Sequence, residues 1–335
     1  MASGKERAIA VADLASFRRM TTIPLPHAPD RLFSARDRVY VTSRDGAELM
    51  EIDPAKMQVS GSISLPGKPV TVRFPGDGKS AIVVTDDAPA ILLVDLVKRR
   101  VTSRLALPGI PADADLGESL MALSLPGRNS VARVSLPLLK LEGETAVGAA
   151  CGVVRFRKDG RTILTGTVES RELISIDAQS GKVLARLPLP LSPSRFCFNN
   201  DGGQMFVTGA GVDAVAIVNP YQNEVDQTVL AGRMPGAMAL SPRQNLLFVA
   251  NQGSGDLTIL DIETRRVAAS VHIGENPGEV LVTPDGEYAL LLDARSGNVA
   301  VVRIATALDH KNRTKPLFTV FATATDARSA MIVPF

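Results

Sequence analysis

"LFVANQGSGDLTILDIETRRV", running from Leu247 to Val267, decides how this chain folds. An apolar burst ends at Asn251, a glycine-bearing gap follows, a second burst ends on Asp261, and a polar turn leads to Val267. The chain reads "MFVTGAGVDAVAIVNPYQNEV" (Met205 to Val225) 42 residues earlier, by subtraction, and "ILTGTVESRELISIDAQSGKV" (Ile163 to Val183) another 42 before that. "AIVVTDDAPAILLVDLVKRRV" (Ala81 to Val101) and "VYVTSRDGAELMEIDPAKMQV" (Val39 to Val59) align on the same frame without a gap. Self-similarity at a fixed period of this size marks a repeat architecture, so the period governs every local reading.

The residue closing the second burst keeps the phase. It falls at Asp13, Asp53, Asp95, Ser135, Asp177, Asn219, Asp261 and Arg303, at intervals of 40, 42, 40, 42, 42, 42 and 42 by subtraction. The irregular stretch 109–148 holds that phase once its first turn is shortened by two residues, so it reads as a worn copy and not an inserted domain. Each unit reads as four short strands. A first strand such as "GKPVTVRF" runs into a "GDG", "KDG" or "PDG" turn, an Asp-Gly hairpin signal. The two apolar bursts form the second and third strands, nearly continuous and β-branched, as strands covered on both faces must be. The Asp or Asn ending the third strand is placed to accept hydrogen bonds from amides two residues on, an Asx-turn. The fourth strand alternates and carries Arg or Lys, which suits an exposed edge.

A four-stranded repeat of about 42 residues is a propeller blade. The expected fold is therefore an all-β propeller of four-stranded antiparallel blades, a single domain over 1–335, with eight blades favoured and seven as the fallback. The blades fall near 26–65, 67–107, 109–148, 150–189, 192–231, 234–273 and 276–322, with a closing blade made of 5–24 and 327–335. "AIAVADLASFRRMTTIPL" matches only the third and fourth strands of a unit, and "ARSAMIVPF" resembles an inner first strand. No segment is evident for the second strand of that closing blade.

Composition narrows the function. The 335 residues carry a net charge of +2, no Trp and three Tyr, which argues against a nucleic-acid partner, since that needs a basic footprint and stacking platforms. No stretch approaches the roughly 18 uninterrupted apolar residues of a membrane span, so membrane insertion is not expected. Residues 1–10 hold no apolar signal core, leaving a cytoplasmic protein or one whose leader was removed. Cys151 and Cys197 sit about four residues out of register, roughly 13 Å along a strand, too far for a disulfide; two free, buried thiols are expected. His27, His272 and His310 occupy unrelated phases, without HxH, HExxH or CxxC spacing, so neither a metal site nor a haem ligand is expected, and no cofactor is predicted. No GxSxG elbow, P-loop or serine with a histidine in phase supports hydrolysis by a Ser-His pair.

Two groups of residues stand out. Arg73, Asp115 and Arg155 share one phase of consecutive first strands, predicting an Arg–Asp–Arg ladder beside the channel. Read structurally it staples blades together, because buried charges persist when paired; read functionally, two arginines against one aspartate leave a cationic channel. The structural reading is preferred. The loops between second and third strands carry Arg44, Asp45, Asp86, Asp87, Glu169, Arg171, Asn251, Asp293 and Arg295. They form a rim of mixed sign on the face where ring proteins generally bind, suited to a protein, polar polymer or small ligand.

The second-strand sequences "YVTS" (Tyr40 to Ser43), "FVTG" (Phe206 to Gly209) and "FVAN" (Phe248 to Asn251), with "NPGEVLVTPDGEYALLL" and "LTILDIETRRVAASV", resemble the YVTN family of β-propellers over nearly the whole chain. That family includes surface-layer, secreted and periplasmic propellers and lactonase-like relatives. The resemblance implies a binding or interaction scaffold without catalysis, periplasmic or secreted after leader removal. Its alternative is a lactonase-like hydrolase or isomerase with carboxylates or a metal at the channel mouth. An accessory subunit of a redox complex is a third possibility. Recurring Trp-Asp pairs, needed for WD repeats, are absent, as are the tryptophans of kelch and quinoprotein blades.

Overall fold

The computed structural model describes residues 1–293, 295–309, 317–324 and 326–333. Its chain opens with β1 (Ala2–Ser3), β2 (Ala8–Asp13) and β3 (Arg18–Pro24). Seven four-stranded sheets follow in order. They comprise β4 (Arg31–Ala35) to β7 (Gln58–Ser64), with β5 (Arg38–Ser43) and β6 (Glu48–Asp53) between, then β8 (Pro69–Arg73), β9 (Ser80–Thr85), β10 (Ala90–Asp95) and β11 (Arg100–Ala106). Blade three holds β12 (Asp113–Leu116), β13 (Leu120–Leu125), β14 (Ser130–Ser135) and β15 (Lys140–Ala146), and blade four β16 (Cys151–Phe156), β17 (Thr162–Thr167), β18 (Glu172–Asp177) and β19 (Val183–Pro188). Blade five is β20 (Ser192–Phe198), β21 (Met205–Ala210), β22 (Ala214–Asn219) and β23 (Glu224–Leu230). Blade six is β24 (Pro235–Leu240), β25 (Leu246–Asn251), β26 (Asp256–Asp261) and β27 (Arg266–His272). Blade seven is β28 (Pro277–Val282), β29 (Tyr288–Asp293), β30 (Asn298–Arg303) and β31 (Leu317–Ala322). A final strand, β32 (Ala327–Ser329), joins β1, β2 and β3 in an eighth sheet.

Pairing within blades is antiparallel and joins sequence neighbours, save β1 with β32 in the eighth sheet, and the eight-blade expectation holds, including the worn copy as blade three. There the first turn tightens, with the Gly117 amide donating to the Leu120 carbonyl at 2.8 Å. The Asp-Gly turns elsewhere put Gly78, Gly160, Gly202 and Gly286 at φ of 61°, 69°, 77° and 74°, the left-handed region that a side chain makes costly. Second and third strands are buried almost end to end, because each blade face meets the next blade. Fully enclosed Phe206 and Phe248 lie in these layers. The outer strands are exposed at most positions, as β11 shows.

The third-strand Asp residues form the expected turns. Asp95 accepts from the amides of Val97 (3.0 Å) and Lys98 (2.8 Å), and Asp261 from those of Glu263 (3.0 Å) and Thr264 (2.8 Å). Arg303 cannot form such a turn, and the five-residue helix α1 (Ile304–Leu308) follows it instead.

The closing blade requires a correction. Its second strand does have a source: β1, two residues long, pairs Ala2 with Ile9 and with Ser329. The blade thus draws on residues 2–3 as well as 5–24, and it is four-stranded. Its inner strand is shorter than expected, since among the described residues of the terminal segment only 327–329 pair.

Candidate functional site

First strands line the axis of the ring, and their exposed side chains are those a molecule on that axis would meet. Of the expected Arg73–Asp115–Arg155 ladder, Arg73 reaches Asp115, but Arg155 pairs with Asp113, a residue that the sequence reading missed. Arg73 of β8 lies 4.0 Å from Asp115 (Nε to Oδ1) and 3.8 Å from Asp113 (Nη2 to Oδ1). Arg155 of β16 donates from Nη1 to Asp113 Oδ2. The Asp carboxylates also accept backbone amides of the next blade, Val154 on Asp113 at 3.2 Å and Phe156 on Asp115 at 2.8 Å. Arg73 donates further to the Ala114 carbonyl at 2.6 Å and Thr71 Oγ1 at 2.7 Å. Two guanidiniums therefore face two carboxylates, and the surplus positive charge expected of this cluster is cancelled. Burial lowers the Arg73 pKa from its ordinary value; Asp113 opposes that shift and Arg155 reinforces it.

One step along the same strands lies a second set. Arg31, Asp113, Arg195 and Glu279 are spaced by 82, 82 and 84 residues by subtraction, two blades each time. Arg31 registers with Thr42, Asp113 with Ser124 and Arg195 with Thr208, equivalent places in blades one, three and five. Glu279 holds the matching position of blade seven. Signs alternate around the ring, with the two arginines in opposite blades. Glu279 accepts the Ala330 amide at 2.7 Å; burial pushes its carboxyl up from the ordinary value, while Arg31 pulls it back. Arg31 and Arg195 are exposed, and among the described residues neither forms an ion pair. Arg195 makes only a long 3.5 Å contact to the Ser194 carbonyl. A step of two residues from the ladder phase, repeated every second blade, would have found all four.

The rim is largely self-satisfied. Arg44 Nη2 reaches both carboxylate oxygens of Asp86, at 3.1 and 2.9 Å, linking equivalent loops of blades one and two. Asp87 accepts the amides of Lys68 (2.6 Å) and Ala88 (2.9 Å), and the Lys68 amide leads the causes that hold its carboxyl below the usual range. Asp293 spends its oxygens on the Arg295 and Ser296 amides and the Ser296 hydroxyl. Asn251 departs from the expected rim role: it is fully buried, donating to Asp256 Oδ1 (2.5 Å) and Thr258 Oγ1 (2.8 Å). It ends a strand buried at every residue, so the neighbouring blade covers it. Asp45, Glu169, Arg171 and Arg295 remain exposed.

His27 Nδ1 lies 2.7 Å from Glu48 Oε1, His272 sits exposed on β27, and His310 lies outside the described residues. Among the described residues no three of His, Cys, Asp or Glu are grouped to hold a metal. Both thiols are free; Cys151 is buried and Cys197 only half-buried. Burial pushes the Cys197 thiol up to about 11 and raises Cys151 too, so neither is a ready thiolate.

No protein-family model and no curated protein sequence matches the chain. Solved structures do resemble it. Hydrazine synthase of Kuenenia stuttgartiensis matches with a TM-score of 0.64 at 17% identity, over 83% of this chain and 96% of that one. Dihydro-heme d1 dehydrogenase NirN in complex with DHE matches with a TM-score of 0.73 at 14% identity, over 96% of this chain and 72% of that one. A chain of the mitotic checkpoint complex matches with a TM-score of 0.64 at 12% identity, over 78% of this chain and 83% of its own length. Likeness at such identities establishes the propeller and leaves function to the site.

Proposed function

We propose that this propeller is a non-catalytic binding scaffold whose axial channel takes a small multivalent anion. One observation carries the reading: each channel carboxylate is already engaged, Asp113 and Asp115 by arginines and amides and Glu279 by an amide and the more distant charge of Arg31, whereas among the described residues neither Arg31 nor Arg195 forms an ion pair. Guanidiniums are the side chains best suited to carboxylate or phosphate, binding them with paired donors. Two of them in opposite blades give a ligand with separated negative groups an advantage over a monoanion. The engaged acids are poor general bases, which supports binding over hydrolysis. The extracytoplasmic location and YVTN kinship rest on the sequence resemblance, and cell fractionation in the native host tests the former.

Calorimetric titration with citrate and inorganic pyrophosphate tests the channel. Binding that weakens as salt rises, and falls at least about tenfold in Arg31→Gln and in Arg195→Gln, is the expected result. Arg171→Gln, on the rim, should leave it unchanged. Absence of binding, or binding indifferent to both channel substitutions, removes the proposal.

A further inference from the structure

On the face opposite the rim loops, blade two carries an open groove of about 470 Å³ on its side toward blade three. Leu93 and Asp95, at the end of β10, form its floor, and the turns before β9 and after β10 contribute Asp77, Lys79, Val97 and Lys98. The equivalent corner between blades four and five is filled. There Arg157 lies over the Tyr221 ring, 4.3 Å from its centroid, and donates to the Pro220 carbonyl at 3.2 Å. Two blades earlier, 82 and 84 residues back by subtraction, the same places hold Pro75 and Pro137. Two short rings without a side-chain donor stand where an arginine and a tyrosine close the gap.

The lip of the groove is aliphatic. Val97 is 74% exposed, and Leu138, on the neighbouring turn of blade three, is 84% exposed. That turn borders the groove, because Leu136 and Leu139 beside Leu138 pack into the cluster that holds Leu93. At the place of Leu138 six other blades have Ser16, Lys56, Lys98, Ser180, Gln222 and Thr264, all polar. The charges of the groove are unevenly spent. Asp77 accepts the amides of Lys79 (2.9 Å) and Ser80 (3.1 Å) and the Ser80 hydroxyl (2.7 Å), and Asp95 holds the two amides of its own turn. Among the described residues Lys79 forms no ion pair, and Lys98 comes only within 3.9 Å of Asp95, with 66% of its side chain exposed. Arg100, paired in register with Asp95, adds a third exposed cation against two carboxylates. An aliphatic lip beside free ammonium groups complements a chain segment that carries an apolar side chain between carboxylates. A flat anionic bilayer fits less well, since Asp77 and Asp95 would meet its headgroups.

We infer that the junction of blades two and three docks an acidic segment of a partner protein. An aliphatic or aromatic side chain of that segment enters the groove beside Val97 and Leu138, and its carboxylates meet Lys79 and Lys98.

A fluorescently tagged Glu-Glu-Leu-Phe-Glu-Glu peptide, titrated by anisotropy against the whole chain, provides the test. It should bind, and more weakly as salt rises. Counterparts with Lys for every Glu, or with Ser for Leu and Phe, should each lose at least about fivefold. Lys98→Glu and Leu138→Ser should each lower the affinity for the parent peptide by at least about fivefold, with the melting transition unchanged because both side chains are exposed. Lys182→Glu, on the same face in blade four, should leave the affinity as it is. Failure of the parent to bind, equal binding of the Ser-bearing peptide, or an equal loss in Lys182→Glu would overturn the docking site. So would sedimentation with phosphatidylserine vesicles that Leu138→Ser abolishes, if the peptide is ignored. The channel substitutions Arg31→Gln and Arg195→Gln should not affect this assay, so it stands or falls apart from the anion site.

Discussion

Single residues in this ring act mainly through what they do for the backbone. Asp261 holds two amides of the turn between β26 and β27, and Asp261→Ala should cost about 1 kcal/mol, read as a lower midpoint in urea unfolding. The Asx-turn was legible because Asp or Asn recurs at one phase, and its geometry is local. The left-handed residues four positions later were not. Phe17, Met57, Arg99, Leu139 and Arg265 all have φ between 51° and 57°, an unfavourable region for such side chains that nothing in their chemistry announces. Asp113 was missed for a different reason: its partners Arg73 and Arg155 come from flanking blades, and only the ring brings them near. Asp113→Asn keeps the shape but removes the charge between two arginines. It should destabilise the fold by about 1–3 kcal/mol, with a smaller loss at high salt, seen in thermal melts at two salt concentrations.

At the level of strands and sheets, the 42-residue period carried nearly everything, because the burial pattern repeats when the neighbours repeat. Blades one to seven all obey it. The closing blade does not, since two residues at one terminus are too few to show any periodicity, and β1 has its identity only through β2 and β32. That blade is also where the core is thinnest: removal of residues 323–335 takes away β32, with Ala327 and Ala330 buried against blade seven. A chain ending at residue 322 should melt at least about 5 °C lower and bind more of a hydrophobic dye, measured by differential scanning fluorimetry. Loss of the closing strand without either change would show that β1 and β2 hold the ring unaided.

For the whole molecule, eightfold arrangement was legible as a count of phase markers, whereas the use of the axis was not. Charges at equivalent places in alternate blades become neighbours around one opening only after the ring forms. The same closure bears on how the protein is made. Ser329 accepts the Leu32 amide across 297 residues of sequence, and Arg328 bridges to Asp30 across 298. The ribosome delivers Ile9, Ile23 and Leu25 beside blade one, so Val41, Met50 and Ile52 can be covered early, whereas Leu14 and Phe17 on the other flank of the closing blade wait on the order of 15–60 s for Leu290 and Val301 of blade seven, at roughly 5–20 residues per second. Until release, a nascent chain presents sticky, strand-rich surface to every other polysome product, and its yield in cells should depend on holdase chaperones more than the finished disc's stability would imply.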